Sequence, residues 1–391
     1  MRRNIMQKNI KFITITAISV LLLAPDSYAG GVTTKDGDKY LKIGGRIQIQ
    51  YYQNNADNKE STDKIFFRRF RPYIEGSIHK NWKGKFQWDM GKAEDSNEIA
   101  VKDAYLQYKG FTNQKLTIGN KKTPFSQEFL TSSKKQQLVE RTFVGDHNYG
   151  TPDRMLGIFL DGHSSDKNLT YSLALGNGNI DPDAKKLDFD TPANDKSDWN
   201  QGRTIAARVD YFPLGHYKFS QGDFKRKTRA NIGIGAFSWK NDGDNNTYTS
   251  ASGISKNAKK VDVDSVTGFE ISGALRGGGF SVDAAYNIFN VDTIDPSFTG
   301  GIFKSGSTEL KNWAIEGGYM IVPSKFELVA GYQAQDADNY AKQWTRTSLG
   351  ANWYIAKHDI KVQFSYRVGR NTNGKAGSDR DELFLQTQYV F

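Results

Sequence analysis

Beyond Gly30 the chain alternates. Apolar and polar residues exchange places with a period of two over stretches of about ten residues, and Gly, Asn, Asp or Pro closes each stretch. Successive side chains on a strand point to opposite sides, so this spacing describes strands whose two faces meet different surroundings. At the C-terminus Leu383, Leu385, Thr387, Tyr389 and Phe391 share one face, and Glu382, Phe384, Gln386, Gln388 and Val390 share the other. Near residue 360, Ile360, Val362, Phe364 and Tyr366 alternate with Lys361, Gln363, Ser365 and Arg367. No stretch after Gly30 carries a convincing helical period. The pattern predicts sixteen strands, at roughly 41–52, 65–78, 81–90, 99–109, 114–120, 155–162, 168–176, 203–213, 228–239, 265–276, 279–291, 311–320, 325–335, 343–354, 358–369 and 381–391.

The connections alternate between long and short. Long polar ones fall near 53–64, 91–98, 121–154, 177–202, 240–264, 291–310, 336–342 and 370–380. Tight turns such as Arg276-Gly277-Gly278-Gly279, Val322-Pro323-Ser324-Lys325 and Ala356-Lys357 lie between them. The basic connection 214–227 is long for its class. Long loops at one end and short turns at the other, with an even strand count, predict an all-β fold: a closed 16-stranded antiparallel transmembrane β-barrel. Its apolar face is aliphatic with aromatic ends, as at Trp82, Trp88, Tyr211, Trp313, Tyr319, Tyr332, Trp353 and Tyr389, which suits lipid and its two interfaces. Sixteen strands enclose more space than side chains fill, so the polar face is expected to line a wet lumen. Open edges are not tolerated in lipid, which requires closure.

The first 29 residues read differently. A basic start (Arg2, Arg3, Lys8), an apolar run from about Phe12 to Ala24 and Ser27-Tyr28-Ala29 describe a secretory signal peptide, cleaved after Ala29. The expected plan is therefore a signal peptide at 1–29, a short periplasmic segment at 30–40 and the barrel at 41–391. The 391 residues carry a formal net charge of +10. The leader holds Arg2, Arg3, Lys8 and Lys11 against Asp26, so +7 remains after cleavage. There is no cysteine, which excludes disulfide scaffolds, thiol catalysis and Cys-based metal sites. Export without cysteine fits a bacterial envelope protein, the outer membrane being the place the barrel pattern implies, and argues against nucleic acid as a partner.

Strand register places more basic than acidic residues on the polar face, among them Arg46 and Arg208, and a basic lining attracts anions. The segment Phe66-Phe67-Arg68-Arg69-Phe70-Arg71-Pro72-Tyr73 concentrates this charge. Alternation sends Arg69, Arg71 and Tyr73 inward and Arg68 outward to the extracellular rim. Pro72 cannot donate to a ladder, so a bulge or break is expected there. The third loop, 121–154, is long enough to fold inward and narrow the pore. It supplies Lys121, Lys134, Lys135 and Arg141 as charges and Ser132 and Ser133 as neutral donors, a mixture suited to an oxyanion.

Several of these stretches resemble motifs of the phosphate-selective porin O and P family. They are Phe67-Arg68-Arg69-x-Arg71-Pro72-Tyr73-x-Glu75-Gly76, Asn81-Trp82-x-Gly84-Lys85-x-Gln87, Asp103-Ala104-Tyr105-Leu106-x-Tyr108, Gly119-x-x-Lys122-x-Pro124-Phe125, and Ser132-Ser133 through Glu140-Arg141. The resemblance covers most of 40–175. It implies a homotrimer of outer-membrane barrels passing phosphate or related inorganic anions, with the third loop as constriction. The residues it carries over are Arg69, Arg71, Ser132, Ser133 and Arg141. The family's central loop lysine has no clear counterpart, because Phe129 and Leu130 precede the serine pair and Lys134-Lys135 follow it.

Other functions fit less well. The five histidines (His79, His147, His163, His216, His358) sit at turns or in loops without a nucleophile motif, so no enzyme is expected. A sugar-selective porin would stack aromatics along the lumen, where only Phe237, Trp239 and Phe289 are candidates. A general diffusion pore with structural charges is the remaining alternative. No cofactor or metal is expected, and Asp181, Asp183, Asp188, Asp190, Asp242 and Asp244 are read as solvated loop acids or bridges to lipopolysaccharide.

Overall fold

The computed structural model describes residues 31–33, 39–57, 59–91, 99–181, 183–194, 201–241, 247–249, 255–257 and 262–391. The proposed leader 1–29, the loop 92–98 and the acids Asp242 and Asp244 lie outside the described residues.

The described chain is all-β. Twenty strand segments join one sheet, and Thr247–Thr249 pairs with Ser255–Asn257 in a separate ribbon. From Trp82–Asp89 onward, sequential long strands pair antiparallel with their neighbours in chain order. The last strand, Arg380–Val390, pairs with Arg46–Ala56, from Arg380 opposite Ala56 to Val390 opposite Arg46. Tyr40–Gly44 pairs with Tyr73–His79, and Arg46–Ala56 pairs with Thr62–Phe70. The run expected at 65–78 is therefore broken at Arg71-Pro72, where proline has no N–H to give.

The alternation of the sequence is the alternation of the sheet. Along Arg229–Asn241 every second residue from Asn231 is buried and every other one is exposed. Phe364 is 40% exposed while Lys361 is 1% exposed. The outer face is an apolar belt of Ile205, Ile232, Leu275, Leu349 and their neighbours, with Trp82, Tyr211, Tyr319, Trp353 and Tyr389 among its exposed aromatics. The tight turns end as expected. Gly278 and Gly279 take φ of 62° and 98° between Val263–Gly277 and Phe280–Thr293, a left-handed pair that side chains disfavour. Several strands run beyond the alternation-based limits toward the long loops. Leu169–Asp181, Val263–Gly277 and Ser307–Val322 are examples.

The inner face is covered in part by the segment 123–153, which follows Gln114–Lys122 and returns to Arg154–His163. The expected infolding is present. Phe125, Phe129, Leu138, Val139, Phe143 and Val144 are all buried. An irregular segment buried this way must find partners for its backbone. The inner-face side chains provide them. Arg208 Nη1 donates to Phe125 O at 2.5 Å, and Glu270 Oε1 accepts from Gln127 N at 2.8 Å. Lys361 Nζ donates to Gln136 O at 2.7 Å, Gln363 Nε2 to Gln137 O at 2.8 Å and Asn312 Nδ2 to Tyr149 O at 2.6 Å. Gly235 permits the close approach, since a Cβ there would stand 2.5 Å from Phe125 O. Phe125 also meets Phe237 and Phe289 edge-on or tilted, so those inward aromatics form a core with the loop rather than a surface for solutes.

Candidate functional site

Where the loop segment does not touch the sheet, a cavity of about 430 Å³ remains. Its walls are the limbs Phe129–Lys134 and Glu140–Arg141 on one side and strand residues from Gly45 to Asp103, with Lys122 and Arg154, on the other. Ten Lys or Arg side chains line it against five Asp or Glu, a formal excess of +5.

Two β-bulges supply part of that excess. Gln48 pairs with Arg69 and Ile49 with Phe67, so Arg68 is the extra residue of its strand. Gln87 pairs with Asp103 and Trp88 with Val101, so Lys102 is the extra residue of its own. A bulge places two consecutive side chains against one partner and re-aims one of them. Arg68 and Lys102 both line the cavity as a result. The outward, rim-facing position expected for Arg68 is corrected: it meets Glu140 through its Nε and Nη2, at 2.7 and 2.9 Å.

The cations fall into two sets. Arg71 Nε holds Asp89 at 2.5 Å, Lys85 holds Asp103 at 2.7 Å, and Arg154 bridges Asp103 and Asp153 at 3.0 and 3.2 Å. Arg46, Arg69, Lys122, Lys134 and Arg141 have no ion pair among the described residues. Arg46 Nη1 donates to Ser132 Oγ at 3.0 Å, and Arg69 Nη1 donates to Gln48 Oε1 at 3.1 Å. Arg141 Nη2 donates to Thr131 O at 2.8 Å. Lys122 Nζ reaches Phe129 O, and Leu130 O at 3.4 Å, bringing an ammonium beside the serine pair from the wall. The Nε groups of Arg46, Arg69 and Arg141 and the Ser133 hydroxyl are buried without a partner among the described residues. A cavity lined by this many cationic side chains is suited to an oxyanion.

Of the residues singled out from sequence, Arg46, Arg69, Arg71, Tyr73, Ser132, Ser133, Lys134 and Arg141 line this cavity. Three do not. Arg208 is sealed behind the loop with Asp210 at 2.6 Å and Glu270 at 2.9 Å, anchoring the loop instead of facing a solute. Lys121 is paired with Asp161 beside the Phe159 ring, and its neighbour Lys122 takes the cavity position. Lys135 lines a separate cavity with Lys218, Lys225 and Lys357. Alternation missed Arg68 and Lys102 because a bulge resets parity. Lys122, Arg154 and Glu140 gave no periodic signal, though Lys122 and Glu140 lie in the quoted family motifs.

Among the loop groups with displaced titrations are Glu140 and His147. Burial alone would raise the Glu140 carboxyl, but Arg68 overrides it and holds the group down to about 2. Burial would lower His147, yet Asp188 at 3.3 Å, with Asp153 and Asp146 nearby, brings it up to about 9. A raised imidazole stabilises the fold fully below about 6.5, the ordinary value, and that contribution disappears as pH rises through about 9. His147→Gln should therefore lower the thermal unfolding temperature at pH about 6 and leave it unchanged at pH about 10. Equal losses at both pH values would show that His147 acts only by packing.

The comparisons with known proteins agree with this architecture. The family model for phosphate-selective porin O and P matches residues 41–391. Porin O of Pseudomonas aeruginosa is 25% identical over 406 residues, covering 92% of this chain and 90% of its own length. The anion-selective porin from Comamonas acidovorans superimposes with a TM-score of 0.59 at 9% identity, covering 90% of this chain and all of that one. OmpT of Vibrio cholerae, described in a trimer form, gives 0.54 at 14% identity, covering 90% of this chain and 99% of that one. At such identities the two structures speak for the fold alone. The family model spans the sheet from residue 41 to the last strand and Porin O matches nearly end to end, so this chain belongs to the phosphate-selective porin O and P family.

Proposed function

We propose that this porin is a closed outer-membrane barrel of sixteen spanning strands, and that small inorganic anions cross it passively, phosphate-type oxyanions preferred. Closure is supported by the pairing of Arg380–Val390 with Arg46–Ala56. The count of sixteen follows when Tyr40–Gly44 is joined to Arg46–Ala56, and Thr62–Phe70 to Tyr73–His79, as two bent strands. Export by cleavage after Ala29, a short periplasmic segment at 30–40, contact with lipopolysaccharide and assembly as a homotrimer complete the proposal. The described part of the periplasmic segment pairs Gly31–Thr33 with the start of the first strand.

The observation that carries the anion reading is the unpaired set Arg46, Arg69, Lys122, Lys134 and Arg141 around one narrow cavity. Ion pairs neutralise the other cations of the lining, so this set carries the attraction. Guanidinium forks favour oxyanions over halides, because a halide gains nothing from two parallel bonds. The same cavity presents carboxylates, Glu75 and Asp146 among them. A hydrogenphosphate has a proton to offer them and a sulfate has none, which favours phosphate.

Blocking of chloride current in a planar bilayer tests this. Phosphate should half-block at a concentration about tenfold below sulfate, the worth of one satisfied polar contact. Equal block by the two would remove the phosphate preference. No block by either would favour a general diffusion pore.

A further inference from the structure

Glu140 stands inside the arginine row rather than opposite it. Its Oε1 accepts from Arg68 Nε at 2.7 Å and its Oε2 from Arg68 Nη2 at 2.9 Å, and Gln50 Nε2 donates to Oε1 at 3.2 Å. Two parallel bonds to a planar fork are also how arginine grips phosphate. A carboxylate in that position imitates the solute. The pair is not sealed, since the Arg68 and Glu140 side chains are 27% and 16% exposed and both line the cavity. Arg69, next in the row, has an unpartnered Nε. The backbone beneath Glu140 is fixed, with Val139 N donating to Ser365 Oγ at 3.2 Å and Arg367 Nη2 donating to Glu140 O at 3.3 Å. The carboxylate therefore moves by side-chain rotation while its attachment point stays in place.

We propose that Glu140 is a tethered competitor for the permeating anion: it holds the Arg68 fork when the channel is empty, yields it to a passing oxyanion and then reclaims it. The inference rests on the anion reading above and deepens it by naming the residue that sets how long the anion stays. Conduction needs sites that bind well enough to admit a solute and weakly enough to release it. A carboxylate tethered a few ångströms from its fork has a high effective concentration, so it returns quickly and speeds release. Gln50 keeps one hydrogen bond within reach of the carboxylate throughout. No covalent bond changes in the exchange.

The test titrates phosphate against chloride current for the wild type, E140Q, R68Q and the R68Q/E140Q pair. In E140Q the half-blocking concentration should fall about tenfold and single blocks should lengthen, because the fork is no longer contested. In the R68Q background E140Q should change nothing. An unchanged half-block in E140Q overturns the proposal, and so does the same tenfold fall with or without Arg68, which would mean that charge acts at a distance. Should E140Q fail to assemble, R68Q alone decides. It removes the fork that the anion is proposed to occupy, so the half-block should rise about tenfold, and no rise overturns the exchange. A wild-type channel that phosphate does not block would instead bring down the anion reading, and this proposal with it.

Discussion

Replacing Arg208 with Met should destabilise the protein by about 3–5 kcal/mol and widen its channel. Arg208 is 1% exposed in its side chain. Its Nε donates to Asp210 Oδ2 at 2.9 Å and its Nη2 to Asp210 Oδ1 at 2.6 Å. Its Nη1 faces Glu270 at 2.9 Å and Phe125 O at 2.5 Å, and its Nη2 reaches Ser272 Oγ at 2.8 Å. Without the guanidinium, Asp210 and Glu270 are left as buried charges lacking their counter-ion, and Phe125 O loses a donor. That is the expensive way to break a buried pair. Glu270 also accepts from Gln127 N, so the loss reaches the start of the infolded loop. Thermal unfolding in detergent should show the loss, and single-channel recording should show higher conductance with weaker anion preference. Unchanged stability and conductance would mean that the loop is held elsewhere, for instance by Lys361 and Gln363.

The largest effect on selectivity is expected from the double substitution Arg46→Gln with Arg69→Gln. Among the described residues neither has an ion pair, so each removal takes one uncompensated charge from the cavity wall. A unit charge about 4 Å from an ion is worth about 1 kcal/mol even at the dielectric of water, and two such losses should reduce the anion-to-cation permeability ratio by roughly tenfold or more. Arg71 is a poor choice for the same experiment. Its partner Asp89 also accepts from Phe70 N at 3.1 Å and Gly91 N at 3.2 Å, so removing Arg71 leaves an unpaired acid at the strand break. A permeability ratio unchanged in the double variant would detach the anion preference from these arginines.

Alternation makes the sheet legible in the sequence. Phe364 and Lys361 lie three positions apart and end in opposite surroundings, as a two-residue period requires. The terminal strand pairs as its two faces suggest, with Phe384, Gln386 and Gln388 buried and Tyr389 exposed. The loop's turn inward was also readable from its length. What alternation cannot carry is any event that resets it. The bulges at Arg68 and Lys102 flip parity locally, and they add two cations to the cavity that strict alternation points elsewhere. Pairing is equally invisible along a strand. Arg208 and Arg69 look alike in sequence, yet one is buried between two carboxylates and the other has no ion pair among the described residues. Only the fold brings Glu270, 62 residues away, to the side of Arg208.

The most direct measurement is the zero-current potential of the wild-type channel in a planar bilayer separating two concentrations of potassium chloride. Anions drawn past Arg46, Arg69, Lys122, Lys134 and Arg141 should set its sign, with a magnitude approaching the chloride equilibrium potential. A potential near zero, or one of the potassium sign, would contradict the account.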